Sequence, residues 1–312
     1  MQILFITSNR VGDAVLSTGL LAWMVESYPN AAFTIACGPY AADLFRTTPR
    51  LERLIILKKR KWNLHWLRLW QQCASTEWDL IVDLRDSLIS RLLRAQKRAY
   101  RVKANGLQHK VITNGLVLDL TPPPAPTIWI DENARIKATE LLPTTRPLIA
   151  LGPAANWPVK QWPIERFIQL AQKLTAPYGA LPGAHILLIA DEKERQQIAP
   201  LLQALPNSTA IIGQDLVTVA ACLKEARLFI GNDSGLMHLS AAVGTPTLGL
   251  FGPGYEEIYA PWGPRCAVVR TDKDREALLR CLPYQGANAP NLMGSLSVDK
   301  ALTAAEALLK RS

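Results

Sequence analysis

The sequence predicts an α/β protein of two domains, each built on a mostly parallel sheet. At 312 residues, of which 49% are hydrophobic, the chain is long enough to fill two ordinary cores. Short β-rich apolar runs alternate with amphipathic helical stretches, which is typical of βαβ units. A Pro-dense segment at 121–126 interrupts this alternation, and a new strand-like run begins at Leu148. We therefore expect a first domain over 1–145 and a second over 146–312.

The elements of the first half follow from this alternation. The predicted strands are Ile3–Thr7, Phe33–Ala36, Leu54–Leu57 and Leu80–Val82. The predicted helices are Asp13–Glu26, Tyr40–Phe45, Leu64–Cys73 and Ser87–Leu93. The Pro-dense segment reads as a hinge, and one helical stretch from about Asp131 to Leu142 follows it.

The second half repeats the pattern. Its predicted strands are Leu148–Leu151, Ile186–Ala190, Ala210–Ile212, Leu228–Ile230 and Thr247–Leu250. Its predicted helices begin at Pro163, Glu192, Leu216 and Ser234. A final helix is predicted over Ser297–Lys310, where a capping Ser precedes an Ala/Leu pattern. We expect this helix to be able to pack back on the first domain.

Composition excludes several classes of protein. No apolar run approaches the roughly 18 residues that span a bilayer, and MQILFITSN reads as a buried strand and not as a signal peptide. The five cysteines contain no C-x-x-C pair, and the four histidines are dispersed, so neither disulfides nor a metal site is indicated. We expect a cytoplasmic protein without a cofactor.

Positive charge is concentrated in the first half. Of the formal net charge of +9, residues 1–145 contribute nineteen Lys and Arg against twelve Asp and Glu. The first domain therefore meets an anionic partner. Charge alone does not choose among nucleic acid, an anionic membrane surface and a phosphorylated or carboxylated substrate.

Asp13 lies in the first turn of the helix that follows the first strand. An acid at this position can complement the helix dipole. It can also act as a general base that takes a proton from a hydroxyl. Both interpretations fit the sequence, and no G-x-G-x-x-G is present to suggest a dinucleotide site.

The segment Gly231–His238 stands directly between an apolar strand and a helix. Free N–H groups at Ser234 and Gly235 would make an anion site suited to a diphosphate. Asp233 would accept hydrogen bonds from sugar hydroxyls, and His238 lies one turn further along the same face. The alternative is that Asn-Asp-Ser only caps the helix.

Lys160 projects from the loop after the first strand of the second half, just before Pro163. A point charge here can neutralise phosphate, or it can be a solvated lysine. Trp162 in the same loop is expected to be a packing anchor. Asp272-Lys273-Asp274 imitates a metal-binding Asp-x-Asp but reads as a helix start.

The basic run Lys58-Lys59-Arg60-Lys61 is either a solvated face or a site for an anionic acceptor. Trp62, Trp66 and Trp70 follow it at a spacing of four residues, which places them on one helical face. Core packing and contact with a membrane interface both remain open for them.

These motifs together resemble the lipopolysaccharide heptosyltransferases, glycosyltransferase family nine. The resemblance rests on Gly12-Asp13, on Lys160-x-Trp162-Pro163, and on Asn232-Asp233-Ser234-Gly235-x-x-His238 with the following Gly244-x-Pro246 and Phe251-Gly252. It implies two Rossmann-like domains facing across a cleft, the GT-B architecture. It also implies inverting, metal-independent transfer of heptose from ADP-L-glycero-D-manno-heptose to a lipopolysaccharide core acceptor.

The resemblance assigns roles at the matching positions. Asp13 becomes the general base, and the donor is bound by Lys160, Asp233, Ser234, Gly235 and His238. The anionic acceptor is placed on the first domain at Lys58, Lys59, Arg60 and Lys61, with a contribution from Arg10. We expect peripheral contact with the inner membrane and no nucleic acid partner.

Three rival classes remain. A sugar-nucleotide epimerase shares the two-domain architecture but would need no basic platform for an acceptor. A nucleic-acid-binding module would explain the charge, but the sequence lacks a binding motif and interleaved aromatic residues. A non-catalytic nucleotide-sugar-binding protein would bind the donor without transfer, and an active enzyme could use a protein or another glycan as its acceptor.

Overall fold

The chain folds into two compact units, Met1–Trp129 and Ile130–Ser312. The computed structural model describes residues 1–59, 61–103, 106–143, 147–280 and 291–311. Each unit contains a parallel sheet with helices, so the predicted two-domain α/β class is confirmed.

In the described part of the first unit, five parallel strands form one sheet in the order β3-β2-β1-β4-β5. The strands are β1 (Gln2–Ile6), β2 (Ala32–Cys37), β3 (Leu51–Ile56), β4 (Trp78–Asp83) and β5 (Ala95–Tyr100). The helices are α1 (Val11–Ser27), α2 (Ala42–Phe45), α3 (Leu64–Cys73), α4 (Leu88–Leu92) and α5 (Lys110–Gly115).

Strand β1 lies at the centre of this sheet and is strongly apolar. Ile3, Leu4, Phe5 and Ile6 of β1 are fully buried, as expected for a strand covered on both faces. The sequence does not predict β5, because its charged side chains hide any apolar run. It lies at the edge of the sheet, where exposed charges are tolerated.

The Pro-dense segment packs along α1 within the first unit. Gly19 leaves no room for a Cβ beside the backbone carbonyls of Pro124 and Ala125. The Thr127 N–H donates to Thr18 Oγ1 at 3.0 Å. A side chain at position 19 would push this segment away from the helix.

Over the residues that the structure describes, the second unit contains six parallel strands in the order β11-β10-β9-β6-β7-β8. The strands are β6 (Leu148–Gly152), β7 (His185–Ala190), β8 (Ser208–Ile212), β9 (Leu228–Asn232), β10 (Thr247–Phe251) and β11 (Cys266–Arg270). The helices are α6 (Glu132–Leu141), α7 (Ile164–Thr175), α8 (Arg195–Ala204), α9 (Leu216–Lys224), α10 (Gly235–Ala242), α11 (Glu256–Tyr259), α12 (Arg275–Arg280) and α13 (Val298–Arg311).

Helix α6 belongs to the second unit, where it packs against α9. The observed boundary between the units precedes this helix, whereas the predicted boundary after residue 145 follows it. Ala134 and Ala138 form its buried face. The short side chains let the helix lie close to its neighbour.

The final helix, α13, completes the core of the second unit. The Ser297 hydroxyl accepts from the Lys300 N–H at 3.2 Å, so the predicted capping Ser is confirmed. Ala301, Ala305 and Leu308 are buried in the same cluster as residues of α7. The second unit therefore buries the apolar face of α13 itself.

The thiols of the described residues are held in their neutral form by burial. Burial raises the pKa of Cys37 and Cys222 to about 12 and that of Cys73 to about 11. Burial likewise raises the pKa of Cys266 to about 12. Cys281 lies outside the described residues.

Replacing Leu308 by Ala tests the contribution of α13 to the second core. Because Leu308 is 2% exposed, the change should lower the free energy of unfolding by about 2–5 kcal/mol in urea titrations. Lys310→Ala, at an exposed position of the same helix, should leave it within about 0.5 kcal/mol. Equal stability of the two variants would contradict a structural role for this helix.

Candidate active site

Asp13 lies at the carboxyl edge of the first sheet. Arg10 is extended and immediately precedes α1, and its N–H donates to Ser8 Oγ at 3.1 Å. Ser8 Oγ in turn lies 3.5 Å from Asp13 Oδ2. The end of β2 approaches this loop closely, since a Cβ on Gly38 would lie 2.5 Å from Asn9 Cα. The loop is thus held in place while the half-buried Asp13 carboxyl keeps access to solvent.

Lys110 is electrostatically coupled to Asp13. Burial lowers the pKa of Lys110, attraction to Asp13 raises it, and repulsion from Arg101 lowers it further. Helix α5, which begins at Lys110, packs against α1, and Asn114 Nδ2 donates to Leu16 O at 2.9 Å. The sequence does not point to Lys110, which lies in a stretch with no clear periodicity.

Arg85 is a second basic residue of this region that the sequence motifs do not single out. It follows β4, and its Nη1 donates to Asn9 Oδ1 at 3.0 Å. Its guanidinium lies 4.7 Å from the ring centroid of Trp66. The buried Asp83 carboxylate fixes this loop by accepting from the Arg85 N–H at 2.8 Å. Its position in the sequence could have indicated a functional role, because Arg85 follows a predicted strand closely and open α/β sheets place their ligand-binding groups after strands.

Lys58 and Lys59 follow β3 and line a cavity of about 610 Å³ with His65 and Arg68. Burial lowers the pKa of His65, and the positive charges of Arg85 and Lys59 lower it further. Lys61 is exposed on the next turn, and Arg60 lies outside the described residues. Lys58 and Lys59 therefore stand at the same sheet edge as Asp13, beyond β2.

In the second unit, Lys160 and Asp233 form an ion pair. Lys160 Nζ lies 2.5 Å from Asp233 Oδ2, and the two side chains are 23% and 8% exposed. The sequence assigns one to phosphate and the other to sugar, whereas the structure pairs them with each other. Gly254 leaves no room for a Cβ beside the Asp233 carboxylate. An arriving ligand therefore has to replace one charge interaction with another.

The side chain of Asn232 ties the two loops of this ion pair together. Its Oδ1 accepts from the Trp162 N–H at 3.0 Å, and its Nδ2 donates to Pro153 O at 2.7 Å. It is fully buried. Asn232 thereby fixes both ends of the loop that carries Lys160 to the strand end that carries Asp233. Asn232 belongs to the motif that indicates the family, but the sequence predicts no role for it.

Ser234 and Gly235 stand at the start of α10. Ser234 is the extended N-cap residue of α10, but its side chain makes no capping hydrogen bond. Its hydroxyl is buried and has no hydrogen-bond partner among the described residues. The first N–H groups of an eight-residue helix and one hydroxyl remain for a ligand. His238 is buried one turn further on, with its ring centroid 6.4 Å from that of Tyr259.

Trp162 is a packing anchor, as predicted. It is 1% exposed, contacts Phe167 edge-on with ring centroids 5.0 Å apart, and donates from Nε1 to Leu296 O at 2.9 Å. The bond to Leu296 also attaches this loop to the segment before α13.

The Asp272–Asp274 segment is a helix start, as predicted. Asp274 Oδ1 accepts from the Ala277 N–H at 2.7 Å, and Asp272 pairs with Lys300 at 2.9 Å. Across the described residues, no group of three His, Cys, Asp or Glu side chains could hold a metal ion.

A sequence profile described as glycosyltransferase family 9 (heptosyltransferase) matches residues 107–282, more than half of the chain. The chain belongs to this family. The resemblance seen in the motifs is thus confirmed, and the protein is a glycosyltransferase.

Similarity to other heptosyltransferases and family 9 proteins extends over most of the chain. Lipopolysaccharide heptosyltransferase 2 of Salmonella typhimurium is 23% identical over 315 residues, which cover 86% of this chain and 88% of the relative. A family 9 glycosyl transferase from Veillonella parvula superposes with a TM-score of 0.83 at 20% identity, covering 100% of this chain and 98% of that one. The ADP-heptose lps heptosyltransferase II of E. coli gives a TM-score of 0.75 at 19% identity, with 99% of each chain covered. This glycosyltransferase shares the fold of the two solved structures.

Among the described residues of this glycosyltransferase, we find no helix with the length and apolar character needed to cross a bilayer.

Replacing Asn232 by Ala tests the connection between the two loops. The Trp162 N–H and the Pro153 carbonyl would lose their partner, so we expect the free energy of unfolding to fall by at least about 2 kcal/mol. Asn133→Ala, on the exposed face of α6, is the matched control. Urea titrations measure both, and a loss at Asn232 no larger than at Asn133 would contradict the role given to its amide.

Proposed function

We propose that this glycosyltransferase transfers heptose from ADP-L-glycero-D-manno-heptose to a lipopolysaccharide core acceptor, with inversion and without a metal ion. The observation that carries this proposal is the Lys160–Asp233 pair next to the start of α10, where the Ser234 hydroxyl has no hydrogen-bond partner within the described part of the chain. These groups match the two chemically different parts of a nucleotide sugar. The names of the Salmonella and E. coli proteins support heptose as the transferred sugar and lipopolysaccharide as the acceptor. The name of the E. coli protein also supports ADP-heptose as the donor.

The second unit binds the donor. Lys160 turns from Asp233 to the diphosphate, which also accepts from the N–H groups at Ser234 and Gly235. Asp233 then accepts hydrogen bonds from sugar hydroxyls, and His238 lines the same site. The donor thus replaces the interaction that Lys160 and Asp233 make with each other.

The first unit binds the acceptor and supplies the base. Asp13 takes a proton from an acceptor hydroxyl while that oxygen attacks the anomeric carbon from the face opposite ADP. A new carbon–oxygen bond forms, the bond to the phosphate oxygen breaks, and configuration inverts. Lys110, whose charged form is favoured by attraction to Asp13, places a basic side chain beside the proposed base.

Charge on the departing ADP is stabilised by the protein. Lys160 and the N-terminus of α10 stabilise the negative charge that grows on the diphosphate, which is the role of a divalent cation in other transferases. Fixed groups of this kind need no reorganisation during the reaction.

The acceptor is held by positive charge at the carboxyl edge of the first sheet. Lys58, Lys59, Lys61 and Arg10 supply it, and the half-buried Arg85 adds a fixed charge next to the Asp13 loop. Arg60 is part of the same proposed set. Phosphates and carboxylates of a lipopolysaccharide core complement these groups. The proposed location is cytoplasmic, with peripheral contact at the inner membrane.

Asp13→Asn should reduce heptose transfer by about 10²–10⁴-fold, because the amide cannot accept the proton. ADP release from ADP-heptose with deacylated lipopolysaccharide cores measures transfer, and calorimetry should give an unchanged ADP affinity. Asp43→Asn is the matched control, because Asp43 is an exposed acid in the first turn of α2. Full turnover by Asp13→Asn would contradict the role of Asp13 as general base and leave it only the role of complementing the helix dipole.

Lys160→Gln should weaken ADP binding at least about tenfold, since a charge-assisted contact to phosphate is lost. Lys173→Gln provides the comparison, because Lys173 pairs with Asp299 on the exposed surface of the same unit. Calorimetric titration with ADP measures both. Wild-type affinity in Lys160→Gln would place the diphosphate elsewhere.

A further inference from the structure

Helix α3 carries apolar side chains on the face that it does not bury. Its inward face consists of His65, Leu69 and Cys73 at a spacing of four residues. Leu64 and Leu67 on the outward face are 48% and 49% exposed. A helix packed on a core by one face normally presents polar residues on the other. The stability of the first unit therefore does not require these leucines.

Two tryptophans extend the exposed apolar face. Trp70 is 37% exposed and continues the i, i+3, i+6 spacing of Leu64 and Leu67. Trp62 is 91% exposed and has left-handed backbone angles, with φ 57° and ψ 20°. Bulky residues rarely adopt this conformation, which here turns an indole ring into solvent. Trp66 differs from both, because it packs partly against the core.

The neighbouring helix adds to this surface. Helix α4 packs against α3, and its Leu88 and Leu92 are 69% and 61% exposed. Exposed apolar groups on two adjacent helices amount to more than the scattered single residues of an ordinary surface. We call Trp62, Leu64, Leu67, Trp70, Leu88 and Leu92 the apolar surface.

The chain segment that contains α3 is strongly basic. From Arg53 to Thr76 the chain has no Asp or Glu, while the basic residues of this stretch are Arg53, Lys58, Lys59, Arg60, Lys61 and Arg68. Like charges would repel if two copies of the chain met through this surface. Leu and Trp next to Lys and Arg instead match a bilayer with anionic headgroups, since the apolar groups enter the acyl boundary and the cations meet phosphate.

We propose that the apolar surface docks the protein on an anionic lipid bilayer. This proposal specifies which surface makes the peripheral membrane contact of the proposed function. It rests on that function in one respect, namely that a lipid-linked acceptor would be found at the membrane. Trp62 and Trp70 occupy the headgroup level, and the leucines of α3 and α4 lie beneath it.

Vesicle sedimentation with the full chain tests this proposal. The wild-type protein should pellet with vesicles of phosphatidylethanolamine and phosphatidylglycerol, less so as salt rises, and weakly with phosphatidylcholine alone. The double variant Leu64→Ser, Leu67→Ser should lower the partition coefficient at least about tenfold, because two apolar groups no longer enter the bilayer. Trp62→Ser should lower it in the same direction.

Tyr178→Ser is the matched control, since Tyr178 is fully exposed on the second unit. It should bind vesicles as the wild type does. Transfer to a deacylated, soluble acceptor should be equal in wild type, control and double variant, which verifies folding and separates docking from catalysis. If the wild type pellets but transfers nothing to any core acceptor, docking is supported and the proposed function fails.

Two results would overturn the docking proposal. One is equal sedimentation of the double variant and the wild type with anionic vesicles. The other is a wild type that ignores vesicles but forms a dimer that the double variant abolishes in light scattering, which would make the surface a contact between copies of the chain.

Discussion

In both sheets the strand order reverses beside the first strand of the unit, and this constraint positions the candidate site. β1 lies between β2 and β4, and β6 lies between β7 and β9. The chain first adds strands on one side of the first strand and then crosses over to add the rest on its other side, so a crevice opens at the carboxyl ends of the two strands that flank the reversal. Asp13 and Arg85 follow the two strands at this point in the first unit, and Lys160 and Asp233 do so in the second. Each unit thereby brings one carboxylate and one cationic side chain to the point where its strand order reverses.

The Lys160–Asp233 pair is better suited to exchange than to stability. A mostly shielded ion pair gains little net free energy, because desolvation of both charges offsets their attraction. A ligand with phosphates and hydroxyls can satisfy each partner separately. Asn232 is placed to keep the backbone of both loops fixed during this exchange, because its own hydrogen bonds are buried and do not involve either charge.

The first unit has a basic sheet edge and an exposed apolar surface on neighbouring elements. Basic side chains gather where its strands end, while α3 buries one face in the core and leaves leucines exposed on the other. Exposed apolar side chains contribute nothing to the folded unit and raise the risk of aggregation. Their retention next to a basic run is understandable if the same surface meets lipid while the sheet edge meets an anionic sugar.

The sequence by itself determined the fold class and most elements, because apolar periodicity reflects burial directly. α3 was predicted with its observed bounds, and the motif around Asp233 indicated the family. The sequence also brought Asp13, Lys160 and Ser234 forward, because each follows a strand. It missed β5 and Lys110, whose polar composition carries no periodic signal.

Only the tertiary structure decided how these residues meet. Nothing local predicts that Lys160 pairs with Asp233, or that Asn232 holds Trp162 and Pro153, since these partners are distant in the chain. The three evenly spaced tryptophans also separate, because Trp66 packs inward under Arg85 while Trp62 leaves the helical path. Spacing along a chain fixes which residues share a face, but the neighbouring elements decide whether that face is buried, and this information exists only once the sheet has assembled.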